Sequence, residues 1–280
     1  MLLTRSKEHG FDEFEDNDQV RFIIGDLSNI DGWKRPLREF APDVTLHLAW
    51  EGLPDYSADI CGRNFKYAEE LFAAVAQGGC RCIISAGSCW EYKRRQGVLA
   101  EAAEIEVGKT FPAAKNDLRL AGEAISKEYG MKFYWPRIFY AYGPGQRKTS
   151  LIPYIISALG DGVVPEIRNL NNKHDFVYVN DVAKAIVMII EKQPDKMIYN
   201  IGSGHSTSVR EVVSIVSEIM RCQHLYSQMN DIPLQQAGDD FWADISDIRN
   251  DLGWCPTYSL LDGVGEVVRY YLRCETMEVK

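Results

Sequence analysis

Two stretches of this chain carry the side chains best suited to moving a proton. They are Ser85-Ala86-Gly87-Ser88-Cys89-Trp90-Glu91-Tyr92 and Phe111-Pro112-Ala113-Ala114-Lys115. A serine at the end of the apolar run Cys82-Ile83-Ile84 offers a hydroxyl to a reacting oxygen. A position four residues before a lysine shares its helix face, so a serine, an acid/base group and an ammonium would converge on one small site. In this chain that position is Phe111, which carries no proton.

The elements that must position these groups follow from periodicity. Arg81-Cys82-Ile83-Ile84-Ser85 reads as a strand with its exit loop, and open α/β sheets bind ligands at the carboxyl ends of their strands, where Ser88 falls. From Phe111 onward, Leu118, Ala121, Gly122, Ile125 and Tyr129 recur at helical spacing up to Gly130. Asp55 to Gln77 carries Tyr67, Ala68, Leu71, Phe72 and Val75 in the same way and stops at Gly78-Gly79. Asp43 to Trp50 reads as a buried parallel strand, and Val20 to Ile24 as a short one ending in Gly25-Asp26-Leu27. The N-terminal Met1 to Ser6 reads as the tail of a strand, and Glu8 to Gln19 as a loop or weak helix. Tyr92 to Lys109 reads as a variable loop.

In their order these segments resemble an extended short-chain dehydrogenase/reductase of the NAD(P)-dependent nucleotide-sugar epimerase/dehydratase kind. The most specific match is Lys132 to Gln146, similar to the family's LRxxNxYGP strand and turn, with Arg137 and Tyr142-Gly143-Pro144 in register. His174 to Ala183 resembles the RDFxxVxDVA signature, with His174 where Arg is usual. Met197 to Gly204, the capping box Ser208-Val209-Arg210-Glu211 and Leu252-Gly253-Trp254-Cys255-Pro256 continue the match to about residue 272. Trp90-Glu91-Tyr92 resembles the GTCxEY turn of a CDP-sugar-like subgroup.

The resemblance implies a doubly wound parallel, Rossmann-like α/β sheet with a smaller C-terminal substrate-binding lobe. It divides the chain into an incomplete dinucleotide-binding domain over 1–145 and a substrate lobe over 146–280, with 173–190 returning to the first domain. The family's opening strand and GxxGxxG turn are absent, so the neighbouring strands would face a gap; either the record begins late in the reading frame or the dinucleotide cradle has been lost. The catalytic places fall on Ser88, Lys115 and Phe111, the last standing where the family has tyrosine.

The implied cofactor residues are Arg5, Asp26, Leu27, Leu48, Ala49, Trp50, Asn64, Lys115 and Arg137. Arg5, where the family chooses between cofactors, leans towards NADP because arginine suits a 2′-phosphate. Asp26 reads equally well as a turn residue, Arg5 as a solvated arginine and His47 as a packed strand residue. Substrate contacts fall on Ser88, Tyr92, Tyr140, Leu151, Ile152 and His174, with Tyr140 replacing the usual Asn. Tyr92, Tyr140 and Tyr142 are the candidates to stand in for the absent phenol. A nucleotide-sugar substrate and a homodimer built on the helices of Asn64 and Phe111 are further implications, beside a catalytically silent or truncated alternative. Cys89-Trp90 stands where dehydratases carry an Asp-Glu pair, which favours an epimerase or reductase.

Composition sets the outer limits. The 280 residues are 46% hydrophobic and 25% charged with a net charge of −9, which fits a soluble globular protein and argues against nucleic acid. The seven cysteines, 61, 80, 82, 89, 222, 255 and 274, form no metal-ligand spacing and read as reduced, mostly buried thiols. No apolar stretch approaches a membrane span and no signal-peptide core is present, so the expected location is cytoplasmic and the expected metal count is zero.

Overall fold

Runs of apolar residues without polar alternation become strands covered on both faces, and Cys82-Ile83-Ile84-Ser85 is such a run. In the computed structural model, which describes residues 1–5, 17–231 and 238–278, all four are buried. Most of the 8–19 stretch and the side chain of Cys274 lie outside the described residues.

The chain divides into two compact units: residues 1–93, 104–137 and 195–198, and residues 94–103, 138–194 and 199–280. The expected boundary at 145 therefore falls at 137, and 173–190 belongs with the second unit rather than returning to the first. The loop after Tyr92 also contributes to the second unit. Its residues Gln96–Leu99 form a strand paired in parallel with Asp240–Ala243, a pairing across 144 residues that local periodicity does not reveal.

The first unit holds β1 (Leu2–Thr4), β2 (Phe22–Ile24), α1 (Ile30–Phe40), β3 (Val44–His47), α2 (Ala58–Gln77), β4 (Cys82–Ser85) and α3 (Thr110–Tyr129). β4 runs parallel between β3 and the strand Lys132–Ile138, with Val44 opposite Cys82 and Cys82 opposite Lys132. β1 and β2 form a separate parallel pair, Leu2 opposite Phe22. Among the described residues no strand lies on the free side of β1 or of β3. The expected gap is thus present, and a cavity of about 810 Å³ is lined by residues of both strands.

The two long helices form as their patterns predict. α2 is N-capped by Ser57, whose hydroxyl accepts from Ile60 N, and buries Cys61, Asn64, Ala68, Leu71, Phe72 and Val75 along one face. α3 buries Phe111, Lys115, Leu118, Gly122 and Ser126 and ends where Gly130 adopts φ 67°, a left-handed conformation suited to glycine. The helices pack along each other above a core of Phe72, Val75, Ile83, Leu118, Phe133 and Trp135.

The second unit has its own core, in which Ile152, Ile155, Ile156, Val212, Val213, Val216, Val264 and Val267 join the helices Leu151–Gly160, Val209–Ile219 and Leu260–Glu278. Ser208 caps the second of these, accepting from Glu211 N at 3.1 Å. Asp181 lies in the first turn of the helix Val179–Lys192 and does not cap it. It instead accepts from Thr257 N and Oγ1 and from Tyr258 N, pinning the turn after Trp254.

Candidate active site

The site is built on the turn leaving β4. Ser88 is the N-cap of a short 3-10 turn over Cys89–Glu91, its Oγ accepting from Trp90 N at 3.2 Å. Glu91 reaches back, and its Oε1 accepts from Ser88 N at 2.7 Å. The same carboxylate accepts from Trp135 Nε1 at 3.0 Å and from Arg137 Nε at 2.9 Å, with Glu91 and Arg137 both buried. Removing a charge from water is costly unless it is paired and hydrogen-bonded, and Glu91 meets both conditions. Gly87 is required by this crowding, since a Cβ there would lie 2.4 Å from Trp135 Nε1.

This arrangement corrects two expectations. Arg137 is 2% exposed and bound to Glu91 and to the Tyr92 hydroxyl, 3.2 Å away, so it does not line the cavity proposed for a cofactor. Tyr92 is buried beneath that guanidinium and is held in place rather than presented to a ligand. Glu91 is the determinant that motif matching named only as part of a turn. Three polar residues, Glu91, Tyr92 and Arg137, in two stretches with no local pattern were its one signal.

Lys115 comes to the same place from α3. Its Nζ donates to Ala86 O at 2.8 Å and lies 4.1 Å from the centre of the Trp50 ring. Burial lowers its pKa to about 8, against the opposing attraction of Glu91. His47 is buried on β3, with Nδ1 2.9 Å from Ser85 Oγ and its ring edge on Phe72. Burial, then the neighbouring Lys115 charge, lowers its pKa to about 3, which keeps the ring neutral as the packed residue it was read to be.

Phe111 stands one helical turn before Lys115, as the spacing predicted. Its ring meets Trp50 at 5.3 Å and Tyr56 at 5.1 Å between centroids, and Tyr56 stacks on Trp90 at 5.7 Å. Tyr56 was not among the expected site residues. It lies in an irregular segment between β3 and α2 that has no periodicity to mark it.

The cavity collects seven of the expected cofactor residues: Arg5, Asp26, Leu27, Leu48, Ala49, Trp50 and Asn64. Hydrogen bonds from Ser28 lower the Asp26 pKa, with a smaller contribution from Arg5. The Asn64 side chain is spent on its own framework, as Oδ1 accepts from Glu51 N at 2.8 Å while Nδ2 donates to Glu51 O and Ile60 O. It therefore fixes the loop after β3. The indole nitrogens of Trp33 and Trp50 are buried without a partner among the described residues, and both tryptophans line the cavity. Two stranded donors in a partly apolar recess fit a polar, ring-bearing ligand such as a dinucleotide. Gly25 is the one glycine among the described lining residues, so they do not include a glycine-rich diphosphate turn.

Four expected substrate residues belong to the second unit. Tyr140 stacks on His174 at 4.2 Å, and Phe176 and Phe241 complete that aromatic group. Leu151 begins the helix in which Ile152 is buried in the core. Tyr142, a candidate stand-in phenol, is also buried there, and burial raises its pKa. Among the described residues no His, Cys, Asp and Glu cluster suited to a metal occurs, and no helix is long and apolar enough to cross a membrane. Cys61, Cys80, Cys82 and Cys89 are buried free thiols, Cys222 is partly buried and Cys255 is exposed.

Comparison with known proteins places this geometry. The chain is 24% identical over 298 residues to dTDP-L-rhamnose 4-epimerase of Burkholderia thailandensis, covering 90% of this chain and 81% of that one. It is 26% identical over 245 residues to dTDP-4-dehydro-6-deoxyglucose reductase of Escherichia coli, covering 83% and 75%. Among solved structures, UDP-glucose 4-epimerase of Thermotoga maritima with UDP-glucose superposes with a TM-score of 0.81 at 20% identity, covering 98% of this chain and 90% of that one. A dTDP-glucose 4,6-dehydratase of Streptomyces venezuelae with NAD bound also gives 0.81, at 22% identity and coverages of 95% and 83%. The family described as NAD dependent epimerase/dehydratase matches residues 2–202. With its Rossmann-like parallel strands and this match across most of its length, the chain belongs to the NAD dependent epimerase/dehydratase family.

Proposed function

We propose that this chain acts on a nucleotide sugar as an NAD(P)-dependent epimerase or reductase that passes through a transient keto-sugar. The observation that carries the reading is the convergence of Ser88 and Lys115 on the exit of β4, with the helix-face position before Lys115 present but filled by Phe111. A bound nicotinamide would supply hydride transfer. The residues of the chain supply the rest. Ser88 is held by its cap so that its hydroxyl can meet a sugar oxygen, and Lys115 brings a positive charge to a site from which Trp50 and Phe111 exclude water. Phe111 can neither take nor give a proton, and loss of a positioned acid/base group costs about 10²–10⁴ in rate. The step is therefore slowed at this position.

Arg5 beside Asp26 favours NADP, whose 2′-phosphate it would pair. A homodimer would use α2 and α3, where Leu120 and Tyr129 remain exposed, and the expected location is cytoplasmic. A second reading, a silent nucleotide-sugar-binding partner of an active relative, draws on Phe111 and on the lack of a glycine-rich turn among the described cavity residues.

Titration of the protein with NADPH and NADH, read by energy transfer from tryptophan, followed by turnover of UDP-, CDP-, GDP- and dTDP-sugars, tests the proposal. Saturable binding, tighter for NADPH, with slow turnover is expected. Binding of a nucleotide sugar without turnover would favour the silent partner. No binding of either ligand by folded protein would refute both readings.

A further inference from the structure

One aromatic ring stands between the recess and the amine that the proposed reaction needs. Trp50 lines the cavity of about 810 Å³, and its ring centre lies 4.1 Å from Lys115 Nζ. Phe111 and Trp135 also face that ammonium, each with its ring centre 5.9 Å away. Neither of them is among the described residues that line the cavity, and neither is Lys115. The ammonium is therefore caged by three rings, of which only Trp50 is shared with the recess, and Lys115 is 6% exposed. Packing keeps the indole there. It meets the Phe111 ring edge-on at 5.3 Å, whereas its Nε1 is buried without a partner among the described residues. The backbone that follows it is fastened. Asn64 Oδ1 accepts from Glu51 N at 2.8 Å, Asn64 Nδ2 donates to Glu51 O at 3.1 Å, and a Cβ on Gly52 would lie 2.8 Å from Ile60 Cγ2. Movement of the ring then falls to its own side-chain torsions, and the recess offers space for a ring that turns away from Lys115.

We infer that Trp50 is a gating residue that decides which ligands of the recess reach Lys115. The inference rests on the proposed function, in which Lys115 serves the reacting end of the ligand, and extends it. With the indole in place, a nucleotide lodged in the recess meets an aromatic wall and leaves the ammonium covered. A ligand that extends to Lys115 displaces the indole, which gives up its cation–π and edge-on contacts. The cost falls only on ligands that reach the amine.

Acylation of the folded protein by acetic anhydride at pH 8, followed residue by residue by mass spectrometry, tests the cover without any ligand. An open amine with a pKa of about 8 would react faster than an ordinary lysine, whose pKa is about 10.4. Lys115 is expected instead to react more slowly than Lys66 and Lys109, whose side chains are 68% and 63% exposed. In Trp50→Ala its rate should rise at least about tenfold while theirs stay unchanged, and Trp50→Phe should keep it slow because a phenyl ring still covers the charge. A wild-type Lys115 that reacts as fast as the exposed lysines overturns the inference, as does an unchanged Lys115 rate in Trp50→Ala. A rise shared by all three lysines reports unfolding of that variant, and the wild-type and Trp50→Phe rates then decide. Binding supplies the second test, with dissociation constants for NADPH and for its adenosine half, 2′,5′-ADP, compared between wild type and Trp50→Ala. Their ratio should shift about 2–30-fold in favour of NADPH, the equivalent of one cation–π contact. An unchanged ratio overturns the gate. If neither ligand binds, the functional reading fails by that result, and the acylation rates still judge Trp50 alone.

Discussion

The two units differ in where they leave buried polar groups unpaired. In the second unit Asp175 is wholly buried yet accepts from Ser203 N and Oγ, Gly204 N and Ala243 N, so its charge is matched by four donors from two chain segments. Asp181 is matched likewise by Thr257 and Tyr258. In the first unit Glu91 is matched in this way, but the indoles of Trp33 and Trp50 are not, and Leu46 and Leu48 are exposed beside the cavity they line. A polar group buried without a partner costs about 1–3 kcal/mol. Asn172 Oδ1 and His174 Nδ1 of the second unit are also buried without a partner among the described residues, so the units differ in that the unpaired indoles of the first line a recess that a ligand would close.

The strongest way to break this comparison is to remove the buried, fully hydrogen-bonded Glu91 carboxylate of the first unit. Glu91→Ala leaves the buried Arg137 guanidinium without its carboxylate and should destabilise by about 3–5 kcal/mol in chemical denaturation, most of the margin of an ordinary domain. A loss below about 1 kcal/mol would show that water already reaches this pair.

Ligand closure should come next in size. NADPH at a hundred times its dissociation constant should add about 2.7 kcal/mol. Hydrogen exchange should slow in the strands Leu2–Thr4 and Val44–His47, which line the recess, and stay unchanged around Asp175. Equal protection of both regions would contradict the contrast.

The buried Lys115 sharpens the comparison through pH. Its folded pKa of about 8 lies below its ordinary value, so the unfolded chain binds the extra proton between about pH 8 and 10.5. Stability therefore rises with pH across that window. Lys115→Met should be more stable than wild type at pH 7, by an amount of order 1–3 kcal/mol, with the difference shrinking as pH approaches 10.5. A constant difference across that range would show that the ammonium is solvated in the folded protein.

The smallest effect belongs to the open edge. Leu46→Thr, at a strand position that is 42% exposed, should change stability by less than about 0.5 kcal/mol while lowering aggregation of the protein at high concentration. A large loss would mean that Leu46 is covered in solution.

Much of this was legible in the order of residues. The spacing of Leu118, Ala121, Gly122, Ile125 and Tyr129 and the glycine at 130 are local properties, and α3 ends where they place it. The faces of α2 and the Ser208 cap follow for the same reason, and the Tyr142-Gly143-Pro144 turn with its neighbours carried the family resemblance. The gap beside β3 followed from a motif order that lacks its first member.

Other features were settled only by packing. Glu91 meets Trp135 and Arg137 across 44 and 46 residues because β4 and the strand Lys132–Ile138 are neighbours in register, with Ile84 opposite Tyr134. Tyr56 meets Phe111 across 55 residues because α2 and α3 lie side by side, and residues 94–103 join the second unit through a parallel pairing with Asp240–Ala243. Helix faces and caps depend on residues three or four apart, which a sequence displays directly. The partners of Glu91, Tyr56 and Asp175 depend on which strands and helices become neighbours, and only the folded chain decides that.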